Sequence, residues 1–347
     1  MSRFAVPLAL AFLCLSCSRA PRPRVEFVLG TLCSVTLFER GGAADYDAVF
    51  ARLQEIEDSM AFTPGGAGGL SELDLVNLNA GIGPVAVGAG LLEVLEEARR
   101  YAELSGGAFD PTVGPLVALW GIGGENPRVP AGEEIQAALA LVDWRDLVID
   151  RAAGTAFLRR RGQALDLGAI AKGYAADQAA AVLRRGRLRR ALVDLGGNIF
   201  ALGERPGRES WRIGVQDPLE ERGNYLGVLR VKDKSVVTSG VYERYFEEGG
   251  RRYHHILSTR DGYPVQNGLL SVTIVAGRSI DADALSTACF ALGPERGLAL
   301  VESLPDTEAV FVGADRGLTL SSGAAGLFTL AGGDYRIIST SSISNTR

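Results

Sequence analysis

Cysteine and histidine are scarce in this chain, whose 347 residues include four cysteines and two histidines. No Cys/His spacing resembles a zinc site, so zinc chemistry is not expected. Cys14 and Cys17 lie in an apolar N-terminal segment, which leaves Cys33 and Cys289 for the folded part. A disulfide between these two is possible in an oxidising compartment. Both lie in apolar-periodic stretches, however, and we interpret them as buried free thiols.

An excess of positive charge is also absent. Lys and Arg together number 36 and Asp and Glu 41, which gives a formal net charge of -5. The basic stripe with interleaved aromatics that is typical of nucleic-acid binders does not occur, and we predict no nucleic-acid partner. What remains is the composition of an ordinary globular protein, with 47% hydrophobic and 22% charged residues, and 44 glycines that predict many tight turns.

The apolar run near the N-terminus is too short to span a bilayer. It covers residues 4–15, follows Arg3, and has the shape of a secretory signal. Ser16 and Cys17 end it in a way that resembles a bacterial lipobox, with Cys14 where leucine is usual. We expect lipidation at Cys17, with ordinary signal cleavage as the alternative. Residues 1–17 would then be the signal and residues 18–24 an Arg/Pro tether, giving an exported, membrane-anchored lipoprotein that faces the periplasm.

The pattern of helices and strands over residues 25–340 predicts an α+β fold. From residue 211 to 275 one strand pattern follows another, which is typical of an antiparallel meander and not of a repeating βαβ array. No repeat or linker interrupts the region, so we predict a single mixed α/β unit with largely antiparallel sheets. Helices are predicted at 44–58, 91–104, 133–141, 282–290 and 294–303, and further strands at 25–39, 147–158, 191–200, 309–312, 318–320 and 335–339.

The stretch over residues 164–177 reads Ala-Leu-Asp-Leu-Gly-Ala-Ile-Ala-Lys-Gly-Tyr-Ala-Ala-Asp. It predicts a strand, a tight turn and a helix that continues to about Leu183. Backbone N–H groups at a helix start are free and Lys172 lies beside them, so a phosphate or another anion is the expected guest. The alternative is an ordinary turn with a solvated Lys172, because a single glycine-containing turn is a weak signal.

A second candidate site lies in the predicted helix at 282–290. Asp283 and Thr287 are four residues apart and share one helix face. A carboxylate and a hydroxyl presented together suit a hard cation such as Mg2+. The alternative is that Asp283 pairs locally and that Thr287 bonds back to its own helix. His255, taken alone, is more often a structural histidine than a catalytic one.

Seven stretches follow one another in the order found in the ApbE family, and the chain resembles that family over residues 25–340. They are Leu29-Gly30-Thr31, Phe109-Asp110-Pro111-Thr112-Val113, residues 166–177, Gly-Gly-Asn-Ile at 196–199, Thr-Ser-Gly-x-Tyr-Glu-Arg-Tyr-Phe at 238–246, His-Ile-Leu at 255–257 and Asp-Ala-Leu-Ser-Thr at 283–287. The chain departs from the family pattern at residues 258–262, at Val241, which replaces a frequent aspartate, and at Leu29, which replaces the usual methionine.

The resemblance implies an ApbE-like fold and an FAD:protein FMN transferase. Such an enzyme uses Mg2+ to move FMN from FAD to a threonine of a partner protein and releases AMP. The implied metal ligands are Asp283, Thr287 and the backbone carbonyl of Ala169. The implied FAD contacts are Lys172 and Asp166 near the pyrophosphate, Asp110, Pro111 and Thr112 along the nucleotide, Leu29 and Phe62 on the rings, and His255 and Ile256 beside the cofactor. We hypothesise that Asp283 or His255 helps to deprotonate the acceptor threonine.

By the same resemblance, the acceptor is a flavoprotein of a membrane redox complex or of an extracellular electron-transfer system. Two other functions use the same residues. One is an FAD pyrophosphatase in which water replaces the threonine and the products are FMN and AMP. The other is a flavin-binding lipoprotein without turnover, which would need no metal ligands. The pair Asp283 and Thr287 argues against the second, and the aromatic Phe62 favours transfer over hydrolysis.

Overall fold

The computed structural model describes residues 21–62 and 69–338. The predicted signal, the lipidation site Cys17 and the first three residues of the tether lie outside the described residues. In chain order the strands are β1 (Arg24–Val28), β2 (Thr31–Leu37), β3 (Val85–Ala86), β4 (Leu147–Asp150), β5 (Thr155–Leu158), β6 (Ala191–Leu195), β7 (Asn198–Leu202), β8 (Trp211–Gln216), β9 (Tyr225–Val231), β10 (Lys234–Gly240), β11 (Tyr245–Glu248), β12 (Arg251–His254), β13 (Leu269–Ala276), β14 (Glu308–Gly313), β15 (Gly317–Leu320), β16 (Phe328–Leu330) and β17 (Arg336–Ile338).

Helices alternate irregularly with these strands. They are α1 (Ala43–Met60), α2 (Glu72–Leu78), α3 (Ala89–Leu104), α4 (Gly114–Trp120), α5 (Gly132–Leu139), α6 (Ala171–Arg185), α7 (Ser279–Leu292), α8 (Pro294–Glu302) and α9 (Ala324–Leu327), with a 3₁₀ turn at Trp144–Asp146. No helix of the described residues is long and apolar enough to cross a membrane.

A nine-stranded sheet carries the functional elements, in the order β1-β2-β6-β7-β10-β13-β14-β15-β17. Its neighbouring pairs are antiparallel except β15 and β17, which are parallel. Smaller sheets have the orders β16-β9-β8, β3-β5-β4 and β11-β12. The predicted meander is therefore present, although it is divided between sheets.

The main sheet is covered on both faces. In β10, Val237 faces the larger core, which includes residues of α1, α3, α6 and α7, whereas its neighbour Val236 faces a second core shared with β8, β9 and β16. Successive side chains of a strand point to opposite faces, so a strand that is buried on both sides reads as a continuous apolar run. A small third core forms around Trp120 of α4 and Ile135 of α5.

The strand predicted before α6 is wrong. Residue 164 makes only an isolated bridge to Val113. The next backbone groups bond elsewhere, because the Asn77 side chain pairs with both the amide and the carbonyl of Leu165, and the Asp166 amide donates to the Pro111 carbonyl. A side chain and a loop take the place of a neighbouring strand, and periodicity cannot reveal such partners. The sequence prediction also missed α2, α4, α9, β3 and β16, all of which are short.

Candidate functional site

Helices α6 and α7 are in close contact at Gly173, where a side chain would not fit. A Cβ on Gly173 would lie 2.7 Å from the Cα of Ile280 and 2.7 Å from the Cβ of Asp283, and closer still to the carbonyl oxygen of Ser279. The contact brings the Gly173 amide to the Asp283 carboxylate, with an N–H···Oδ2 distance of 2.7 Å between the heavy atoms. Asp283 is 4% exposed, so its pairing is with a distant segment and not with its own helix.

The same bond frees a carbonyl oxygen. In a regular helix the Gly173 amide would donate to Ala169, four residues earlier. Here that amide donates to Asp283, whereas the next amide, of Tyr174, bonds in the regular way to Ile170. Within residues 21–62 and 69–338, no donor reaches the Ala169 carbonyl or the second oxygen of Asp283. These two oxygens therefore remain available to bind a cation.

Thr287 supplies a third oxygen, one helical turn after Asp283. Its hydroxyl is half-buried and lies 3.2 Å from the hydroxyl of Ser239 on β10. The hydroxyl that bonds back to the helix is that of Ser286, which donates to the Asp283 carbonyl at 2.8 Å. The structure thus rejects the local alternatives for both Asp283 and Thr287.

The donor set fits a hard cation. A carboxylate, a hydroxyl and a peptide carbonyl are all oxygen donors, which Mg2+ prefers over nitrogen and sulfur. The described part of the chain contains no group of three or more His, Cys, Asp or Glu side chains that could hold a metal. Of the three predicted ligands, Asp283 alone has a charged side chain, so much of the metal's charge would be left for an anionic substrate to balance.

Asp177 fixes the start of the helix that carries these ligands. Its two carboxylate oxygens accept the amides of Ser279 and Ile280 at 2.7 and 2.9 Å, which satisfies two of the free N–H groups of the first turn of α7. Burial raises the pKa of Asp177 to about 6. No role was predicted for Asp177, because its partners lie about a hundred residues away in the sequence.

The turn before α6 offers fewer free amides than we predicted. The amides of Ile170 and Ala171 both donate to the Leu167 carbonyl, and that of Gly173 is taken by Asp283. No acceptor within the described residues bonds the amides of Ala169 and Lys172, so the anion site at this helix start stays a prediction. Lys172 remains as a source of positive charge, and its Nζ donates to the Gly168 carbonyl at 3.0 Å.

Three basic side chains lie close enough to Glu243 for their charges to act on its carboxyl. Burial raises the pKa of the Glu243 carboxyl, whereas the positive charges of Arg222, Lys172 and Arg244 oppose that shift. The Asp166 carboxylate accepts the Gly168 amide at 2.8 Å. Burial raises the pKa of Asp166 as well, and the positive charges of Arg244 and Lys172 oppose that shift. The cations therefore share one region that would favour a pyrophosphate. No local pattern in the sequence marked Arg222, which lies in the β8–β9 loop.

The two histidines have different environments. His254 is 5% exposed, and its Nε2 donates to the Val265 carbonyl at 2.8 Å while its Nδ1 accepts the Ile256 amide at 3.3 Å. Both ring nitrogens are thus used within the fold. Among the described residues, the His255 ring has a partner only at Nδ1, which lies 3.2 Å from the Arg244 carbonyl. Because a carbonyl can only accept, Nδ1 carries the hydrogen and Nε2 is left as an unprotonated base. Burial lowers the pKa of His255 to about 4.

The Asp110–Thr112 block has internal bonds. The Asp110 carboxylate accepts the Thr112 amide at 2.8 Å, the Thr112 hydroxyl at 2.6 Å and the Trp144 amide at 3.0 Å. Asp110 and Thr112 are 8% and 0% exposed. Pro111 is buried too, and its carbonyl joins the block to Asp166. The side chains of this block brace the loop beside Asp166, and their contact with a nucleotide stays a prediction.

The three apolar residues predicted to contact the flavin lie against the larger core. Leu29 and Phe62 are partly buried there, and Ile256 is 4% exposed. Leu29 has a left-handed φ of 57° and forms the β1–β2 turn with Gly30, whose φ is 65°. Thr31 follows that turn and contacts Gly196 of the Gly-Gly turn between β6 and β7. Two predicted motifs thus meet, whereas flavin contacts of Leu29, Phe62 and Ile256 stay predictions.

Known proteins are similar to this chain in sequence. The model of the ApbE family matches residues 29–311. A relative from Treponema pallidum (strain Nichols), named FAD:protein FMN transferase, is 42% identical over 317 residues, which are 86% of this chain and 86% of the relative. A protein of the same name from Klebsiella pneumoniae (strain 342) is 40% identical over 263 residues, 76% of this chain and 81% of that protein.

Solved structures show the same fold. The ApbE protein from Thermotoga maritima aligns with a TM-score of 0.79 and 33% identity, covering 88% of this chain and 99% of its own. The structure described as flavin transferase ApbE from Vibrio cholerae aligns with a TM-score of 0.78 and 28% identity, covering 88% and 98%. The predicted mixed fold with largely antiparallel sheets is confirmed.

Proposed function

This chain belongs to the ApbE family, and on that basis we propose that it transfers FMN from FAD to a threonine of an acceptor flavoprotein, with Mg2+ and with release of AMP. Relatives at 42% and 40% identity carry the name FAD:protein FMN transferase. The finer parts of the proposal, which are the metal, the threonine and the AMP, rest on the chemistry of the site.

The observation that carries the proposal is the diverted Gly173 amide. By donating to Asp283, it holds a buried carboxylate in place and leaves the Ala169 carbonyl without a donor among the described residues. With Thr287, this gives an oxygen set suited to Mg2+, whose charge would balance the developing charge on the pyrophosphate. Lys172, Arg222 and Arg244 lie in the same region and would orient the nucleotide phosphates.

The proposed reaction exchanges one phosphorus–oxygen bond for another. The threonine hydroxyl oxygen bonds to the phosphorus of the FMN half of FAD, and the bond from that phosphorus to the bridging oxygen breaks. AMP leaves with the bridging oxygen, and the hydroxyl proton passes to a base. The products are a phosphoester of FMN on the acceptor and free AMP.

His255 is the better candidate for that base. Its Nδ1–H is engaged by the Arg244 carbonyl, which leaves Nε2 to accept a proton. Its pKa of about 4 keeps the ring neutral at physiological pH. Asp283, by contrast, is held by the Gly173 amide and is needed for the metal. We therefore assign proton acceptance to His255 and metal binding to Asp283.

The test is incubation of the protein with FAD, Mg2+ and an acceptor fragment that bears the threonine, followed by mass spectrometry of the fragment and chromatography of the nucleotides. We expect the fragment to gain one FMN and AMP to accumulate in equal amount. Chelation of the metal, Asp283→Ala and an acceptor with valine in place of the threonine should each abolish labelling. Free FMN and AMP without labelling would indicate the pyrophosphatase, and unchanged FAD would reject both enzymes.

We also propose that the protein is exported and anchored by a lipid on Cys17, so that it meets a membrane-bound or extracellular acceptor at the periplasmic face. The proposal rests on Arg3, the apolar run over residues 4–15 and the Ser16-Cys17 end. In cells grown with labelled palmitate, we expect the label on the wild-type chain and none on Cys17→Ala. A wild-type chain that is secreted without label would indicate ordinary signal cleavage.

A further inference from the structure

Three hydroxyl groups form a short chain beside the predicted metal ligands. Ser239 of β10 lies 3.2 Å from the Thr287 hydroxyl and 2.7 Å from the Ser286 hydroxyl, and Ser286 lies 2.8 Å from the carbonyl of Asp283. Ser286 is fully buried, whereas Ser239 and Thr287 are half-buried. This row of hydroxyl groups therefore connects β10 to both predicted metal ligands of α7.

The direction of the hydrogen bonds follows from the last acceptor. A carbonyl oxygen can only accept, so the one hydrogen of Ser286 is used on Asp283. Ser286 can then only accept from Ser239, which uses the hydrogen of Ser239. Ser239 can in turn only accept from Thr287, so the hydrogen of Thr287 points towards β10. The lone pairs of Thr287 are left on the other side of its oxygen.

We propose that Ser239 is a positioning residue for the cation: it accepts the Thr287 hydrogen and so turns the lone pairs of that hydroxyl towards the metal. The inference rests on the proposed function in one respect, namely that a metal binds at Asp283 and Thr287. Without Ser239, the Thr287 hydroxyl would be free to rotate or to bond back to the Asp283 carbonyl four residues earlier. A cation would then have to reorient it at a cost in affinity.

The chain offers a matched control on the same strand and the same helix. Ser235 lies four residues before Ser239 on the same face of β10, and its hydroxyl bonds to that of Ser279 at the start of α7 at 2.7 Å. The Ser279 hydroxyl in turn donates to Asn198, so this second set of hydrogen bonds does not include Thr287. Ser235→Ala removes a hydroxyl contact between β10 and α7 without changing the partner of Thr287. It therefore reports what loss of packing alone does.

The experiment is a titration of the full chain with Mn2+, followed by electron paramagnetic resonance, and with Mg2+, followed by calorimetry, in the absence of FAD and acceptor. We expect Ser239→Ala to lower the affinity for both metals about three- to tenfold, which corresponds to the free energy of one hydrogen bond. Ser239→Thr, which keeps the hydroxyl, should restore the affinity, and Ser235→Ala should bind as the wild type does. In a Thr287→Ala background, Ser239→Ala should have no further effect.

Three results would overturn the inference: unchanged metal affinity in Ser239→Ala, equal weakening in Ser235→Ala, or an effect of Ser239→Ala that persists without the Thr287 hydroxyl. A wild-type chain that binds neither metal would overturn it as well. A wild-type chain that binds both metals but transfers no FMN would contradict the proposed function and leave the positioning of Thr287 supported by the titration.

Discussion

The imidazole rings of His254 and His255 face different surroundings although the residues are adjacent. His254 is the last residue of β12, where successive side chains point to opposite sides. One ring therefore enters the core near Phe290 and Val265, and the other turns towards the charged region around Arg244. At this scale, function depends on which ring nitrogen has no partner within the fold.

For His255→Ala, we expect the rate of FMN transfer to fall about 10²- to 10⁴-fold, the usual contribution of a positioned base. Binding of Mn2+ should change little, because His255 is not a metal ligand. Transfer rates and metal titrations measured on the same preparation test both expectations. His254→Gln is the control: loss of the His254 contacts should lower the melting temperature and leave the rate of FMN transfer little changed.

The pH profile gives a second test of the same ring. A base must be neutral to accept a proton, and burial lowers the pKa of His255 to about 4. The wild-type rate should therefore persist as pH falls through 6.5, the ordinary histidine value, and decline only near pH 4. Single-turnover rates between pH 4 and pH 8 with saturating FAD measure this. A decline centred near pH 6.5 would contradict the assigned environment.

At the scale of elements, the site depends on the crossing of α6 and α7. Helix α6 buries one face, whereas α7 is buried along most of its length, and neither helix contains the site by itself. Gly173 allows the backbones to touch, Asp177 of α6 accepts the first amides of α7, and Asp283 of α7 accepts an amide of α6. The bonds between the helices are reciprocal, so a change in their separation should affect the metal ligands directly.

Gly173→Ala tests this crossing. The added methyl group would overlap Ser279 and Ile280, and such overpacking costs about 1–3 kcal/mol, against a gain of about 1 kcal/mol in helix propensity. We expect a lower melting temperature. We also expect weaker Mn2+ binding at temperatures where the variant is still fully folded. Gly132→Ala, in an exposed position at the start of α5 with no atom within 4 Å of the new Cβ, should change neither. Full metal affinity in Gly173→Ala would argue that the crossing does not set the site.

At the scale of the whole molecule, the nine-stranded sheet separates two cores. Cys33 in β2 and Cys289 in α7 both lie in the larger core, each with 0% exposure, and neither is in a disulfide. Burial raises the pKa of both thiols to about 12. The interpretation of these residues as buried free thiols is therefore confirmed, and they report on global opening of the core.

A chain that begins at Pro21 contains only these two cysteines. In its folded state, we expect no reaction with Ellman's reagent on the time scale of minutes, because neither thiol is exposed or ionised. In concentrated guanidinium chloride without reductant, two thiols per chain should react. Rapid reaction of the folded protein would show that the core opens easily, and absence of reaction after unfolding would reveal a disulfide.

The sequence by itself determined the elements whose signals are local. Alternation predicted strands over residues 25–39 and 147–158, and helical spacing predicted α1, α3, α7 and α8. The four-residue spacing of Asp283 and Thr287 placed both on one face of a helix. These features depend on backbone geometry over a few residues, which a periodic pattern records. The order of motifs was enough to indicate the family, because it does not require knowledge of any contact.

Only the tertiary structure decided which hydrogen-bond partner each polar group has. The Gly173 amide bonds to Asp283, 110 residues later; Leu165 pairs with Asn77, 88 residues earlier; and Thr287 bonds to Ser239, 48 residues earlier. Packing of distant segments makes these choices, because a buried polar group must bond to whatever lies within about 3 Å. A strand was therefore predicted before α6, where a side chain and a loop supply the bonds.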